Sequence, residues 1–293
     1  MMARALVGLV GHNILKSLSP ALHEDAFAAA GIEGHYHLMD LDVLKGRRLA
    51  DILQAVRIAG FAGINVTHPY KEAVLALLDE VSAEARQIGA VNTVVIDPTD
   101  RLIGYNTDRI GFHRAFEEGL GAASAAGRPV LLLGAGGAGR AVAFALMDLG
   151  AGRLFVHDKD QARATALGAD LIMRFGAERC EVAMDVAAAL AEAAGVVNAT
   201  PVGMLGYPGT PVPAALVAPR HWVADVIYTP LETGLVAAAR AKGCRVMTGA
   251  GMCVHQAAEA FRLFTGLAPD VRRMARTFEA ACTRRDAALA AAV

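Results

Sequence analysis

Two residues of opposite charge are the chain's best candidates for proton chemistry. Lys71 closes Asn65-Val-Thr67-His-Pro-Tyr-Lys71, and Asp108 closes Gly104-Tyr-Asn106-Thr-Asp108. An amine and a carboxylate that share a proton can deprotonate a hydroxyl or protonate a carbonyl. Both segments follow apolar runs that read as strands, and open α/β sheets place ligands at the carboxyl ends of strands. Residues 69–78 read as a helix with Lys71 in its first turn, where a cation is unfavourable with the macrodipole. A lysine held at such a cost is a better catalytic candidate than a solvated one. Plainer readings stand beside these: a solvated lysine, and Asp108 as the N-cap of a helix with Ile110, Phe112 and Phe116 on its apolar positions. Lys71 acts either as a neutral base or as an ammonium beside a developing alkoxide, with the proton relayed through Asp108.

Hydroxyls and amides surround this pair in sequence. Ser17-Leu-Ser19-Pro20 sets two hydroxyls at a helix start, suited to a carboxylate or a polyol. Its structural reading makes Ser19 the N-cap and Pro20 the first helical residue. Asn65 and Thr67 end one strand, and Asn92 lies in Gly89-Ala-Val-Asn-Thr93. Asn198-Ala-Thr200-Pro, Asp225-Val226-Ile-Tyr228 and Gly249-Ala-Gly lie at later strand ends, and Gln256 lies on a helix that follows. The four cysteines are not at metal-ligand spacing with one another or with histidine, so no metal is expected.

The apolar run Val130–Leu133 leads into Gly134-Ala-Gly136-Gly137-Ala138-Gly139 and then a helix. That order is a dinucleotide fingerprint. Its glycines allow the tight turn, the close approach of backbone to pyrophosphate and the packing of helix on strand. An acidic residue is expected about 20 positions on. Asp158 stands there, ending the strand from Arg153. Its carboxylate suits ribose hydroxyls and repels a 2′-phosphate, which favours NAD. Lys159 and Arg163 are cations that could pair with that phosphate, so NADP stays possible. Asp158 and Asp160 also read as helix-start carboxylates.

Apolar strands alternate with helical patterns along all 293 residues, which indicates an α/β protein with mostly parallel sheets. Residues 1–107 form an α/β substrate and catalytic domain. Residues 108–250 form a Rossmann dinucleotide-binding domain, and helices over 251–293 return to the first domain. Gly119–Gly127 is the best linker candidate by composition. The net charge of −1 gives no case for nucleic acid or acidic membranes. No apolar run is long enough to span a bilayer, and residues 5–11 read as a strand rather than a signal segment. The unpaired cysteine spacing suggests a reduced, cytoplasmic chain, as a monomer or homodimer.

Ser17-x-Ser19, Asn65-Val-Thr67-x-Pro-x-Lys71, Gly89-Ala-Val-Asn92-Thr, Asn106-Thr-Asp108, the glycine motif, Asn198-Ala-Thr200-Pro and Gln256-Ala, taken together and in order, resemble the shikimate dehydrogenase family. The likeness covers nearly the whole chain. It implies that Lys71 and Asp108 are the catalytic pair. It implies that Ser17, Ser19, Thr67, Asn92, Asp108, Tyr228 and Gln256 hold a hydroxy acid, with Asn65 beside them. Gly136, Gly137, Ala138, Thr200, Val226 and Gly249 match cofactor contacts. The family's NADP-dependent members usually carry Asn-Arg-Thr where this chain has Asp158-Lys-Asp160. That departure resembles the NAD-using quinate/shikimate branch. The implied reaction is reversible oxidation of the ring 3-hydroxyl of shikimate, and of quinate. Alternatives are a strictly biosynthetic NADP enzyme and a non-catalytic ligand sensor, but a sensor would be expected to lose Lys71 or Asp108. A folate or glutamyl-tRNA enzyme with a related dinucleotide domain would not need these motifs together.

Overall fold

The computed structural model describes residues 3–290. The outermost positions of the terminal segments, 1–2 and 291–293, lie outside the described residues. The chain divides into two compact units. One comprises the chain up to Thr107 together with the chain from Val254 onward, and the other is Asp108–Cys253.

In the first unit, β1 (Ala3–Gly11), β2 (Ile32–Asp40), β3 (Gly63–Val66), β4 (Glu80–Val81), β5 (Thr93–Ile96) and β6 (Leu102–Tyr105) form one sheet in the order β2-β1-β3-β5-β6-β4. Most pairs are parallel, but β5 runs antiparallel to both neighbours. This reversal matters for the site. It sets the start of β5 against the end of β3, with Thr93 opposite Asn65 and also opposite Tyr105 at the end of β6. Polar residues from three separate segments thus meet at one end of the interior strands β3, β5 and β6. Helices α1 (Ser19–Ala29), α2 (Leu49–Ile58) and α3 (Ala83–Ile88) connect the strands. The apolar side of α2 (Leu49, Ile52, Leu53, Val56) shares a core with Val10, Ile64, Val66, Val91 and Val94. Each such side chain contributes about 1.5–3 kcal/mol on burial.

The second unit begins with α4 (Asp108–Gly119) and contains β7 (Pro129–Leu133), α5 (Gly137–Asp148), β8 (Arg153–His157), α6 (Gln161–Phe175), β9 (Cys180–Val182), α7 (Val186–Glu192), β10 (Gly195–Asn198), β11 (Trp222–Asp225), α8 (Gly234–Ala241) and β12 (Arg245–Met247). Its strands lie in the order β12-β11-β10-β7-β8-β9, and every pair is parallel. Runs such as Val130–Leu133 and Gly195–Val197 are buried throughout, as strands covered on both faces must be. The strand order reverses between β7 and β10, the switch point where a Rossmann-type fold takes its ligand. Helix α9 (Gly249–Thr265) crosses from the second unit into the first, and α10 (Val271–Ala290) follows. Helix α10 packs on α1. There Arg273 donates twice to Asp25, at 2.8 and 2.7 Å, and Thr277 donates to the same carboxylate at 2.9 Å.

Three local expectations fail, each for a tertiary reason. Residues 69–78 are not an α-helix; only a 3-10 turn spans Ala73–Leu77. The Lys71 carbonyl accepts from the Val91 amide at 2.8 Å, while the Leu75 amide goes to Glu72. Lys71 therefore sits in a turn, and the macrodipole argument for it lapses. Gly119–Gly127 is no linker but a packed part of the second unit. Ser124 donates to the Leu120 carbonyl and accepts the Trp222 indole N–H, and Ala126 bridges Ala151. Ser19 is not the N-cap of α1. Leu18 holds that position without a side-chain cap, and Pro20 lies in the first turn. The short elements β4, α3 and β9 also escape the sequence reading.

Candidate active site

In the first unit the polar residues form one connected hydrogen-bond chain. The Tyr36 hydroxyl, on β2, donates to Asn65 Oδ1 at 2.8 Å. Asn65 Nδ2 donates to Thr93 Oγ1 at 2.9 Å and to the Asn92 carbonyl at 3.2 Å. Thr93 donates to Asn92 Oδ1 at 3.0 Å, and Asn92 Nδ2 donates to Thr107 Oγ1 at 3.0 Å. The Thr107 amide donates to Asn92 Oδ1 at 2.7 Å, and its hydroxyl reaches Gln256 Oε1 at 3.4 Å. Asn65, Asn92, Thr93 and Thr107 are all buried, so these mutual bonds replace lost water. Both Asn65 amide hydrogens go to protein acceptors. Gln256, on α9, is half-buried.

Ser17 and Ser19 lie together, with Ser17 Oγ donating to Ser19 Oγ at 3.1 Å. The segment that leads to them is held by Asp40, a buried carboxylate at the end of β2. It accepts amides of Asn13, Ile14 and Asp42 at 3.2, 2.8 and 3.0 Å. Thr67 follows β3, and its amide donates to Val10 at 3.0 Å. Lys71 is half-buried four residues later, after Tyr70, whose hydroxyl is bonded to His12 Nε2. Burial first, then the Asp42 charge, raises the Tyr70 pKa. Neither Asp40, His12 nor Tyr36 carries a sequence signal that separates it from an ordinary loop or strand residue.

In the second unit Asp108 is the first residue of α4 and is buried, one peptide bond beyond Thr107. The glycine motif forms the expected turn. Gly134 has φ +99°, a conformation that side chains resist, and a Cβ there would lie 2.8 Å from the Ala199 carbonyl. A Cβ on Gly139 would collide with the Gly134 carbonyl group, 2.7 Å from its carbon. Gly136 is the N-cap of α5 with no side-chain cap, so the amides of Gly137 and Ala138 open the helix. Asp158 accepts the Ala135 amide at 2.7 Å and the Asp160 amide at 2.8 Å. It ties the glycine turn to the end of β8, and Asp160 alone is the helix cap, accepting from Ala162 at 3.0 Å. Two hydrogen bonds leave a carboxylate with acceptor capacity for ribose hydroxyls. The Arg163 guanidinium lies 3.6 Å from where a Gly136 Cβ would be, and Lys159 is exposed.

Thr200, Val226 and Gly249 gather at the ends of β10, β11 and β12. Asn198 Oδ1 accepts the Thr200 amide and hydroxyl at 3.0 and 2.7 Å, and its backbone carbonyl accepts the Val226 amide at 3.0 Å. A Cβ on Gly249 would lie 2.6 Å from the Ile227 carbonyl oxygen. Beneath them Asp225 is fully buried and accepts from Ile227, Thr233 and Asn198. Burial pushes its carboxyl up to about 6, against the downward pull of those three bonds. Tyr228 is half-buried in the same segment. A bare helix start, a strained glycine turn and a carboxylate at the second strand's end fit a dinucleotide. No group of three or more His, Cys, Asp or Glu able to hold a metal occurs among the described residues.

Fold and glycine turn define a two-unit α/β protein whose second unit is a Rossmann-type dinucleotide fold. Residues 9–94 match the shikimate dehydrogenase substrate binding domain, and residues 249–277 match the shikimate 5′-dehydrogenase C-terminal domain. The quinate/shikimate dehydrogenase (NAD+) of Corynebacterium efficiens is 50% identical over 93% of this chain and 97% of its own. The shikimate dehydrogenase (NADP+) of Streptomyces avermitilis is 47% identical, covering 92% and 93%. The quinate dehydrogenase of Corynebacterium glutamicum, solved in complex with NAD, superposes with a TM-score of 0.88 at 46% identity, covering 95% of this chain and 99% of that one. The chain belongs to the shikimate dehydrogenase family.

Proposed function

We propose that this protein is a quinate/shikimate dehydrogenase that oxidises the ring 3-hydroxyl of shikimate or quinate reversibly and prefers NAD. The observation that carries this reading is the retention of Lys71 and Asp108 in a chain half-identical to an NAD-dependent quinate/shikimate dehydrogenase over nearly its full length. Asp158 supports the cofactor preference, because a carboxylate accepts from ribose hydroxyls and repels a 2′-phosphate. At about 5 Å and an effective dielectric of about 20, each unit of like charge costs roughly 3 kcal/mol. The amides of Gly137 and Ala138 would hold the pyrophosphate, and Thr200, Val226 and Gly249 the nicotinamide half.

The bound nicotinamide supplies the hydride acceptor. Lys71 and Asp108 manage the proton of the substrate hydroxyl, which must leave in oxidation and return in reduction. Ser17, Ser19, Thr67, Asn92, Tyr228 and Gln256 orient the hydroxy acid, and Asn65 braces Asn92 and Thr93. The residues up to 107 form the substrate domain and 108–250 the cofactor domain, with the returning helices completing the first. We place the protein in the cytoplasm, where its four buried thiols stay reduced, as a monomer or homodimer. Steady-state kinetics with shikimate and quinate, each with NAD and NADP, test the whole reading. The expected result is turnover of both acids with the higher kcat/KM on NAD. No turnover in any of the four combinations would refute it.

A further inference from the structure

Asp158 suits the ribose of the dinucleotide, and the amides of Gly137 and Ala138 suit its pyrophosphate, which leaves the base. In a Rossmann-type unit the acidic residue at the end of the second strand marks the adenosine half of the ligand. The base therefore belongs beside the ends of β8 and β9, on the other side of the glycine turn from Thr200, Val226 and Gly249. These two strands are parallel, with Val156 opposite Val182, so the next residues, His157 and Ala183, lie side by side at their carboxyl ends. The Ala183 amide donates to the Val156 carbonyl at 2.9 Å, and the Gly134 amide donates to the His157 carbonyl at 2.8 Å. The backbone of His157 is thus tied both to β9 and to the glycine turn.

The side chain of His157 has a fixed tautomer. Its Nδ1 lies 3.0 Å from the Ala183 carbonyl oxygen. A carbonyl can only accept, so Nδ1 carries the proton, and in the neutral imidazole Nε2 is left as an acceptor. Among the described residues, the enclosed ring nitrogens without a partner belong to His23, His221 and His255. His157 is half-buried, and its Nε2, which has no protein partner, therefore opens to solvent. Beside it Met184 is 69% exposed, and the side-chain amide of Gln161, at the start of α6, holds the Met184 sulfur at 3.4 Å. A thioether that is both exposed and held in place suits contact with an aromatic ring. An acceptor of set direction, an exposed thioether and a ribose carboxylate thus stand together at the ends of β8 and β9.

We propose that His157 and Met184 recognise the adenine base of the cofactor, His157 Nε2 accepting from the 6-amino group and the Met184 thioether packing against the ring. The chemistry selected is a purine with a donor at position 6. Hypoxanthine carries a 6-oxo group, which would set acceptor against acceptor at Nε2. Asp158, Gly137 and Ala138 meet ribose and phosphate, which both dinucleotides share, so His157 is the residue that separates the two bases. This inference rests on the assignment of the second unit to NAD.

Calorimetric titration of the intact protein with NAD and with nicotinamide hypoxanthine dinucleotide tests it, together with melting temperature and KM for shikimate at saturating NAD. The wild-type protein is expected to bind NAD at least about fivefold more tightly than the hypoxanthine analogue. His157→Leu is expected to raise Kd for NAD about three- to tenfold, the effect of one neutral hydrogen bond. Kd for the analogue should stay within twofold, so that the preference nearly disappears, with KM for shikimate within twofold and a melting temperature within a few degrees of wild type. Met184→Ser is expected to weaken both dinucleotides about equally, because a thioether contact does not depend on the group at position 6. If His157→Leu weakens both dinucleotides alike, or leaves the preference intact, the histidine does not read the base and the proposal is overturned. Equal binding of the two dinucleotides by the wild-type protein overturns it without any variant. If Met184→Ser changes neither affinity, the base does not lie against Met184 and the site as proposed is refuted. If the wild-type protein binds neither dinucleotide, the cofactor reading itself fails and this site with it.

Discussion

At the scale of single residues, the proposed chemistry assigns one proton to Lys71 and Asp108. On that proposal Lys71→Ala removes the group that handles the proton and leaves in the chain the hydroxyls and amides proposed to hold the acid. We expect kcat to fall by about 10²-fold or more while KM for shikimate stays within a few-fold. Near-normal turnover would sink the pairing with Asp108. Asp158 carries a second, separable expectation. Its carboxylate both repels a 2′-phosphate and holds the Ala135 amide. Asp158→Ala should therefore weaken NAD binding and at the same time shift the NADP:NAD ratio of kcat/KM at least tenfold towards NADP, with Lys159 and Arg163 left to meet the phosphate. An unchanged ratio would show that cofactor choice lies elsewhere. The sequence makes residues of this kind legible through their types and places: Asn65 and Asn92 are amides beside strand ends, Gln256 lies on the helix that follows the last strand, and the fold joins Asn65 and Asn92 through Thr93. It could not single out Tyr36. An aromatic side chain facing inwards from a strand looks the same whether it fills a core or aims a hydroxyl, and only its 2.8 Å bond to Asn65 tells the two apart.

At the scale of elements, the glycine turn and the parallel sheet around it were the most legible features. Strand, turn, helix and second strand each carry a local signal, and all agree. The turn's tolerance is correspondingly narrow. A methyl group at Gly139 would collide with the Gly134 carbonyl group, which shares its peptide plane with the Ala135 amide and cannot move without disturbing that amide's 2.7 Å bond to Asp158. Gly139→Ala should cost about 1–3 kcal/mol of stability and weaken NAD binding tenfold or more. Wild-type affinity in a titration of cofactor fluorescence would contradict that. Where the sequence misled, a distant segment had captured the backbone. Val74, Leu75 and Leu78 carry a helical spacing, yet the Lys71 carbonyl is claimed by Val91, and the helix stops at a 3-10 turn. Gly119–Gly127 has linker composition, but its glycines and alanines are small so that Gly150–Gly152 and Trp222 can pack against them. Composition reports flexibility only when nothing lies alongside.

At the scale of the whole molecule, two buried titratable groups, one in each unit, should give the native state opposing responses to pH. His23 has its folded pKa lowered from 6.5 to about 3 by burial. Between those values the unfolded chain binds a proton that the folded chain refuses, so stability is lost as pH falls below about 6.5. From pH 7 to pH 5 that loss amounts to about 2 kcal/mol, taking 1.36 kcal/mol per pH unit. Asp225 behaves the other way. Burial raises its folded pKa from 3.8 to about 6, so the folded chain keeps a proton that the unfolded chain has released, and stability is lost as pH rises through that interval. From pH 4 to pH 7 this also amounts to about 2 kcal/mol. Each is a sizeable part of a total stability of about 5–15 kcal/mol, yet in the wild-type protein they largely offset one another near pH 5. Single substitutions should separate them in urea unfolding curves. His23→Leu loses its stack on Tyr36 at every pH, but its stability relative to wild type should improve by about 2 kcal/mol as pH is lowered from 7 to 5. Asp225→Asn should lose ground to wild type by a similar amount as pH is lowered from 7 to 4, because only the wild-type carboxyl sheds its buried charge. Stability differences that stay constant across these intervals would mean that neither group is held away from its ordinary pKa, and that acid sensitivity in this fold arises from its surface ion pairs instead.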